Sequence, residues 1–431
     1  MDISIKARLK NFNMLSIRTL PISRSKDSKL NTRNYTGMVI CAALSCAGLP
    51  AYALDGAAPV PIDGGPLGEL NFSAAGDGYF FGQTGSSANP HTSVVGGQPT
   101  GAAVDAWMME LHKISGLVQF TVQLAEFQNI NLGANRPQDV NGQRFTTGAV
   151  RTAYVTLAPE GDFKLSLGQF PSVEGYESVF AFNNPVGLRT VIAAVENSNS
   201  RGVQMDYAHG PLAATVLFGD GYDTGVWNYV QFIASDHFDA NNTLFVFGAK
   251  SLGVTGPNTF AYESGAGPLN GNGSQGQLAN VNSNMIGAWY EWKHGNLSLT
   301  PEVQFQYTDP IHQYANLVSG GVSDNIPKST GNFAAALFGE YKFSGTPYSI
   351  AGWTEYATSY GSAAQDNWFV APNAKLVGVT LAPTWQHEHL FARLNAGYMY
   401  LLDSGSPAAG YGNSGTGRNQ FITTLEFGIV Y

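Results

Sequence analysis

The residues able to do chemistry fall into two sets. Glu174, Glu177, Arg189 and Glu196 share one long stretch, 172–199, that also holds Val179, Phe180, Phe182, Val191 and Ile192. Glu302, Glu340, Lys342, Arg393 and Glu426 stand singly, each opposite apolar neighbours in an alternating segment, with Glu291 and Lys293 beside them. Carboxylates and guanidinium groups without a nucleophile or metal spacing make ion pairs, or a charged ring that sorts solutes by sign and size at a narrow point. Bond-making chemistry has weaker candidates. His387 and His389 flank Glu388, a pair that could hold a metal loosely, though most such pairs are simply solvated. Ser–His hydrolysis needs a Ser and a His brought together, and the strand histidine, His112, has no evident serine partner. No P-loop, dinucleotide fingerprint or EF-hand run is present, so no cofactor is expected.

The elements that must position these groups are strands. In 117–124, Val118, Phe120, Val122 and Leu124 alternate with Gln119, Thr121 and Gln123. In 297–307, Leu297, Leu299, Val303, Phe305 and Tyr307 alternate with Ser298, Thr300, Glu302, Gln304 and Gln306. In 390–400, Leu390, Leu394, Tyr398 and Tyr400 oppose Arg393 and Asn395. Neighbours in a strand point to opposite faces, so each strand has one apolar and one polar side. Strands are expected at 69–82, 102–112, 117–127, 148–158, 163–171, 200–209, 211–219, 226–236, 242–253, 284–293, 297–308, 332–343, 347–360, 374–384, 389–402 and 419–431. That makes about sixteen, with fourteen and eighteen as alternatives.

Every second connection is short, at 113–116, 159–162, 210, 237–241, 294–296, 344–346 and 385–388. The intervening ones are mostly long and rich in Gly, Asn, Ser and Pro: 83–101, 128–147, 172–199, 254–283, 309–331, 361–373 and 403–418; only 220–225 is short. A soluble sandwich or propeller has no reason to sort its loops by parity. A transmembrane antiparallel up-and-down barrel has short turns on one side and long loops on the other. The composition agrees: 12% charged residues, 51 Gly, 25 Phe and 20 Tyr. Charges on a lipid-facing band are costly, so the strand charges are expected to point inward.

The first 53 residues read differently. Eight Lys or Arg precede residue 34, the apolar run 38–49 follows, and Ala51-Tyr52-Ala53 closes the segment. That is the form of a secretory signal peptide with an A-x-A cleavage site. The run is shorter than the roughly 20 residues of a membrane-spanning helix. Met14 and Met38 are alternative starts. Residues 54–431 then form the barrel. Cleavage after Ala53 takes eight of 22 Lys+Arg and two of 31 Asp+Glu, leaving a net charge of −15. Such a surface disfavours nucleic acid. Both cysteines, Cys41 and Cys46, leave with the signal.

The last strand sets Phe421, Leu425, Phe427, Ile429 and Tyr431 on one face and Thr424 and Glu426 on the other. A lipid-facing strand ending on an aromatic resembles the signal read by the outer-membrane assembly machinery; here it would be Phe427, Ile429 and Tyr431. The aromatics Tyr79, Phe80 and Phe81, Trp289, Tyr290 and Trp292, and Tyr398 and Tyr400 are expected at the membrane interfaces.

Between 167 and 225 the chain reads LGQFPSVEGYESV, FNNPVGLR, SRGVQMDYAHG and FGDGYDTG. These segments resemble the second β-barrel porin family, the OmpL-like outer-membrane proteins, with Gly168, Phe170, Gly175, Glu177, Asn183, Pro185, Gly187, Arg189, Tyr207, Gly221 and Tyr222 in the matching places. Where that family has a Ser-Arg-Ser-type step, this chain has Asn184-Pro185, and a Ser-Arg pair follows only at 200–201. The path of this loop is therefore open. The resemblance implies a channel and names no solute. A sixteen-stranded barrel leaves room for water. The expected partners are outer-membrane lipid, the assembly machinery and small hydrophilic solutes or ions, in a homotrimer or a monomer. Loop 172–199 either folds inward as a constriction or forms an outer lid or protomer contact. A plugged surface barrel used in adhesion, and a barrel hydrolase, are the alternatives.

Overall fold

A computed structural model describes residues 54, 58–85, 99–127, 130–133, 149–256, 278–279, 281–312, 318–319, 322–323, 326–361, 373–405, 410–412 and 414–431. The expected signal segment and much of loops 83–101, 128–147, 254–283 and 361–373 lie outside them. The strands in chain order are β1 (Val60–Asp63), β2 (Glu69–Gln83), β3 (Thr100–Lys113), β4 (Val118–Phe127), β5 (Val150–Leu157), β6 (Phe163–Pro171) and β7 (Asn199–His209). They continue with β8 (Leu212–Asp220), β9 (Trp227–Asp239), β10 (Asn242–Ser251), β11 (Asn284–His294), β12 (Leu297–Thr308), and the short hairpin β13 (Val318–Ser319) and β14 (Val322–Ser323). The last are β15 (Thr330–Lys342), β16 (Tyr348–Tyr360), β17 (Lys375–His387), β18 (Leu390–Asp403) and β19 (Asn419–Val430).

Each long strand pairs antiparallel with the next, β12 passes to β15 across the small hairpin, and β19 pairs with β2. The result is a closed barrel of sixteen strands at the expected places. Closure leaves no unpaired edge in the wall. β9 ends at 239 rather than 236. Several of the short turns are made where glycine enters the left-handed region, as at Gly210 (φ +62°) and Gly295 (φ +59°), while the turn between β17 and β18 uses Glu388 (φ +53°).

Side-chain parity sorts the wall. Along β17, Val377, Val379 and Leu381 point outward while Leu376, Thr380, Ala382 and Thr384 are buried inside. β19 does the same, with Phe421, Leu425, Phe427, Ile429 and Tyr431 exposed and Thr424 and Glu426 buried. The same rule corrects the aromatic reading. Phe80 faces out, but its neighbour Tyr79 is buried inside, and so is Trp289. A run of adjacent aromatics cannot all face lipid when faces alternate. Tyr79 and Trp289 belong instead to the apolar packing within the barrel.

β1 was not among the expected strands, the first of which was placed at 69–82. It pairs with the first residues of β2, Val60 opposite Phe72 through Asp63 opposite Glu69. β19 pairs with β2 from Ile422 opposite Gln83 to Val430 opposite Ala75. β1 therefore takes up the flank of β2 just where the last strand stops. At the adjoining ladder between β2 and β3, a bulge at Asp77 places Asp105 and Ala106 inside, and the Ala106 N–H donates to Asp77 Oδ1 at 2.8 Å.

Candidate functional site

The segment between β6 and β7, 172–198, does not stay outside. Phe180, Phe182, Val186, Leu188, Val191, Ile192 and Val195 are all buried within the barrel. A backbone segment inside needs partners for its N–H and C=O groups, and polar side chains of the inner wall supply them. From β12, the Tyr176 N–H donates to Glu302 Oε1 at 3.1 Å, and Gln304 and Gln306 donate to the carbonyls of Ile192 and Val195 at 3.4 and 3.1 Å. From β16, Trp353 Nε1 donates to the Leu188 carbonyl at 2.8 Å, and Glu355 accepts from the Val191 N–H at 3.0 Å. From β18, Arg393 donates to the carbonyls of Asn184 and Ala181 at 2.5 and 2.8 Å, and Asn395 accepts from the Gly187 N–H at 2.8 Å. The loop thus leaves β6 and reaches the wall of β12, β16 and β18.

Gly187 lies close against the wall. A Cβ there would run into the Glu426 carboxylate and the Asn395 amide. Further support comes from the connection between β4 and β5, where Ile130 and Leu132 exchange backbone hydrogen bonds with Arg189 at 2.9 and 3.0 Å.

Within the loop, the four charged candidates gather. Glu177 accepts from the Thr190 N–H at 3.1 Å and also from its hydroxyl. Glu174 accepts from the Asn197 N–H at 2.9 Å and the Tyr229 hydroxyl at 3.2 Å. Arg189 is 3% exposed and donates to the Ala193 carbonyl at 3.4 Å. Burial pushes the Glu174 carboxyl up to about 7, against the pull of its two donors. Glu177 is also raised by burial, with Arg189 opposing. Glu196 is raised further, by burial and then by the nearby Glu302 charge.

The wall candidates divide. Glu302 meets the loop group, and Arg393 is ion-paired with Glu426 at 2.6 Å with both side chains buried. Glu340 is buried on β15, and Lys342 is near the end of that strand. Glu291 and Lys293 pair at 3.7 Å near the end of β11, with the lysine largely exposed. Trp353, Glu355, Gln304, Gln306 and Asn395 were not singled out from sequence. Their parity was available: Trp353 and Glu355 fall on one face of the expected strand 347–360, opposite Thr354 and Tyr356. His112 is buried and pairs with Glu110 at 2.9 Å, a carboxylate rather than a serine. Among the described residues no group of three His, Cys, Asp or Glu is arranged to hold a metal ion.

Comparisons with known proteins follow the same line. A family model described as "Putative beta-barrel porin-2, OmpL-like" matches residues 69–430. No curated protein matches the sequence. Among solved structures, OmpT of Vibrio cholerae in a trimer form superposes with a TM-score of 0.52 at 9% identity, covering 84% of this chain and 99% of that one. OprB of Pseudomonas putida gives 0.51 at 11% identity, covering 84% and 94%. OmpF of Salmonella typhi, in a complex with daunomycin, gives 0.50 at 12% identity, covering 86% and 100%. At these identities the likeness is one of fold.

Proposed function

The chain belongs to the OmpL-like β-barrel porin family and is a multi-pass outer-membrane protein, and from that premise we propose that it is a passive, non-catalytic channel for small hydrophilic solutes or ions, narrowed by its inner loop. Glu174, Glu177, Arg189 and Glu196 line the narrow point in this reading. The observation that carries it is the hydrogen bonding of the loop backbone to β12, β16 and β18. A loop held across the lumen sets the size limit, and its charges set the preference among ions. Removal of the signal after Ala53 and insertion by the assembly machinery through Phe427, Ile429 and Tyr431 belong to the same proposal. So does a homotrimer, supported by the trimer form of the similarly folded Vibrio cholerae protein; chemical cross-linking in the membrane tests it.

The test is single-channel recording of the refolded mature chain in a planar bilayer, with and without residues 176–190. Discrete conductance steps that grow when the segment is removed support the reading. Unchanged steps would remove the constriction, and the absence of current in both would remove the channel. A second reading, a plugged barrel serving at the surface, is favoured by one observation: many inward groups, Leu188, Thr190, Gln306 and Asn395 among them, are completely buried. It predicts a folded barrel that carries no current until the loop is deleted.

A further inference from the structure

Two rows of inward side chains cross the wall beside the inner loop. One runs Gln304, Ala334, Ala357, Leu376 over β12, β15, β16 and β17, each directly opposite the next. The other runs Gln306, Asn332, Ser359 over β12, β15 and β16. Both rows stand near strand ends that lead into long connections. The two alanines in the first row are too small to fill the space before the loop, and a hollow remains there, closed on the loop side by Val191, Ile192 and Val195.

Polar atoms around this hollow lack partners. Gln304 and Gln306 donate from Nε2 to the carbonyls of Ile192 and Val195 at 3.4 and 3.1 Å, which fixes the oxygen end of each amide. Gln304 Oε1, Gln306 Oε1 and Asn332 Nδ2 are buried with no hydrogen-bond partner among the described residues. The three side chains belong to residues only 3%, 0% and 8% exposed. Gln306 and Asn332 are opposite each other across β12 and β15, yet the acceptor of one does not meet the donor of the other. Buried amide groups left in this way are costly until a guest hydrogen-bonds them. No charged residue lines the hollow. The centres of a guest's atoms have about 20 Å³ to occupy. One water needs roughly 10–15 Å³, so the oxygen, carbon and nitrogen of a small planar group fit as well.

We propose that this hollow binds the primary carboxamide group of a small uncharged solute. The amide nitrogen of such a group carries two donors, one for Gln304 Oε1 and one for Gln306 Oε1, and its carbonyl accepts from Asn332 Nδ2. The carbon stem beside it meets the apolar surface of Ala334, Ala357, Leu376 and Ile192. A carboxylate there would face two amide oxygens with no cation to pair it, and an ammonium would lose its water with no counter-charge. The hollow therefore selects an uncharged guest. As a statement of what enters the channel this rests on the transport reading; as a binding site it rests on the wall register and the loop contacts.

The probe is acetamide, with acetate as the charged control of the same size. The mature chain, folded in detergent, is titrated with each and followed by saturation-transfer NMR on the methyl protons. Saturable binding of acetamide with a Kd on the order of millimolar is expected, as befits so small a ligand, with acetate at least tenfold weaker. Asn332→Asp replaces the donor by an acceptor, and Ala357→Leu fills the hollow; both leave the loop's anchors Gln304 and Gln306 in place. Each is expected to weaken acetamide binding at least tenfold. If one variant does not fold, the other and the acetate comparison decide. A signal that does not saturate, equal binding of acetamide and acetate, or binding unmoved by the substitutions would overturn the proposal and leave the hollow to water alone. Bilayer current is recorded separately. A barrel that binds acetamide without carrying current keeps this site and loses the transport reading, whereas a conducting barrel that does not bind acetamide loses this site alone.

Discussion

Arg393 and Glu426 are directly opposed across β18 and β19, joined by two guanidinium–carboxylate contacts at 2.6 and 2.9 Å. The same guanidinium donates to the carbonyls of Ala181 and Asn184. One residue thus ties the wall near the barrel's closing seam to the tip of the inner loop. Removing one partner of a buried pair leaves the other charge uncompensated, a cost of about 3–5 kcal/mol. Arg393→Ala is therefore expected to lower the urea midpoint of the detergent-folded barrel. Arg393→Met combined with Glu426→Gln should recover much of that loss, because both charges go together. A double variant no more stable than the single one would show that the pairing is not what matters.

The loop should respond to pH through Glu174. Its carboxyl, ordinarily near 4.5, is pushed up to about 7 when docked. Between those values the docked loop binds more protons than an undocked one, so docking weakens as pH rises. It is strongest below about 4.5 and has lost this contribution above about 7. Single-channel conductance recorded from pH 4 to 8 is expected to rise across that window. Glu174→Gln, which cannot ionise, should flatten the curve.

The interior is strongly acidic. Among the described residues, the buried carboxylates are Asp77, Asp105, Glu174, Glu177, Asp206, Asp220, Asp223, Glu302, Glu340, Glu355 and Glu426, against the guanidinium groups of Arg151, Arg189 and Arg393. Charges in a low-dielectric cleft focus the field and concentrate counter-ions. The reversal potential in a salt gradient is expected to report preference for cations over anions. An anion-preferring channel would mean that these groups are protonated or walled off from the ion path.

Tyr431 packs against His389, with ring centroids 4.9 Å apart, and its backbone pairs with Ala74 of β2. Deleting it removes a short piece of ladder and the terminal aromatic together. The expected result is several-fold less folded barrel in outer membranes, scored by heat-modifiable migration, with detergent refolding much less affected. Equal losses in both settings would assign Tyr431 to stability rather than to assembly.

Most of the wall was legible because a strand's side chains alternate with a period of two. Wherever one face met lipid, as with Val377, Val379 and Leu381, the pattern marked both the strand and its direction inward. The parity of loop lengths did the same for the order of strands, since hairpin connections set each strand beside the next. The closed pairing of β19 with β2 joins residues far apart in the chain and has no local signature.

The sequence by itself determined the sixteen strands of the wall, their lipid face, the inward parity of Glu302, Arg393 and Glu426, and the apolar character of segment 172–199. Only the tertiary structure decided where that segment goes and what meets it. Its contacts with Gln304, Trp353, Glu355 and Asn395 link strands more than a hundred residues away. The physical reason is that alternation is a local property of one strand, read against lipid. The partners of a buried loop are chosen by barrel closure, which brings distant inner faces together and leaves each buried polar group to find whichever neighbour that geometry supplies.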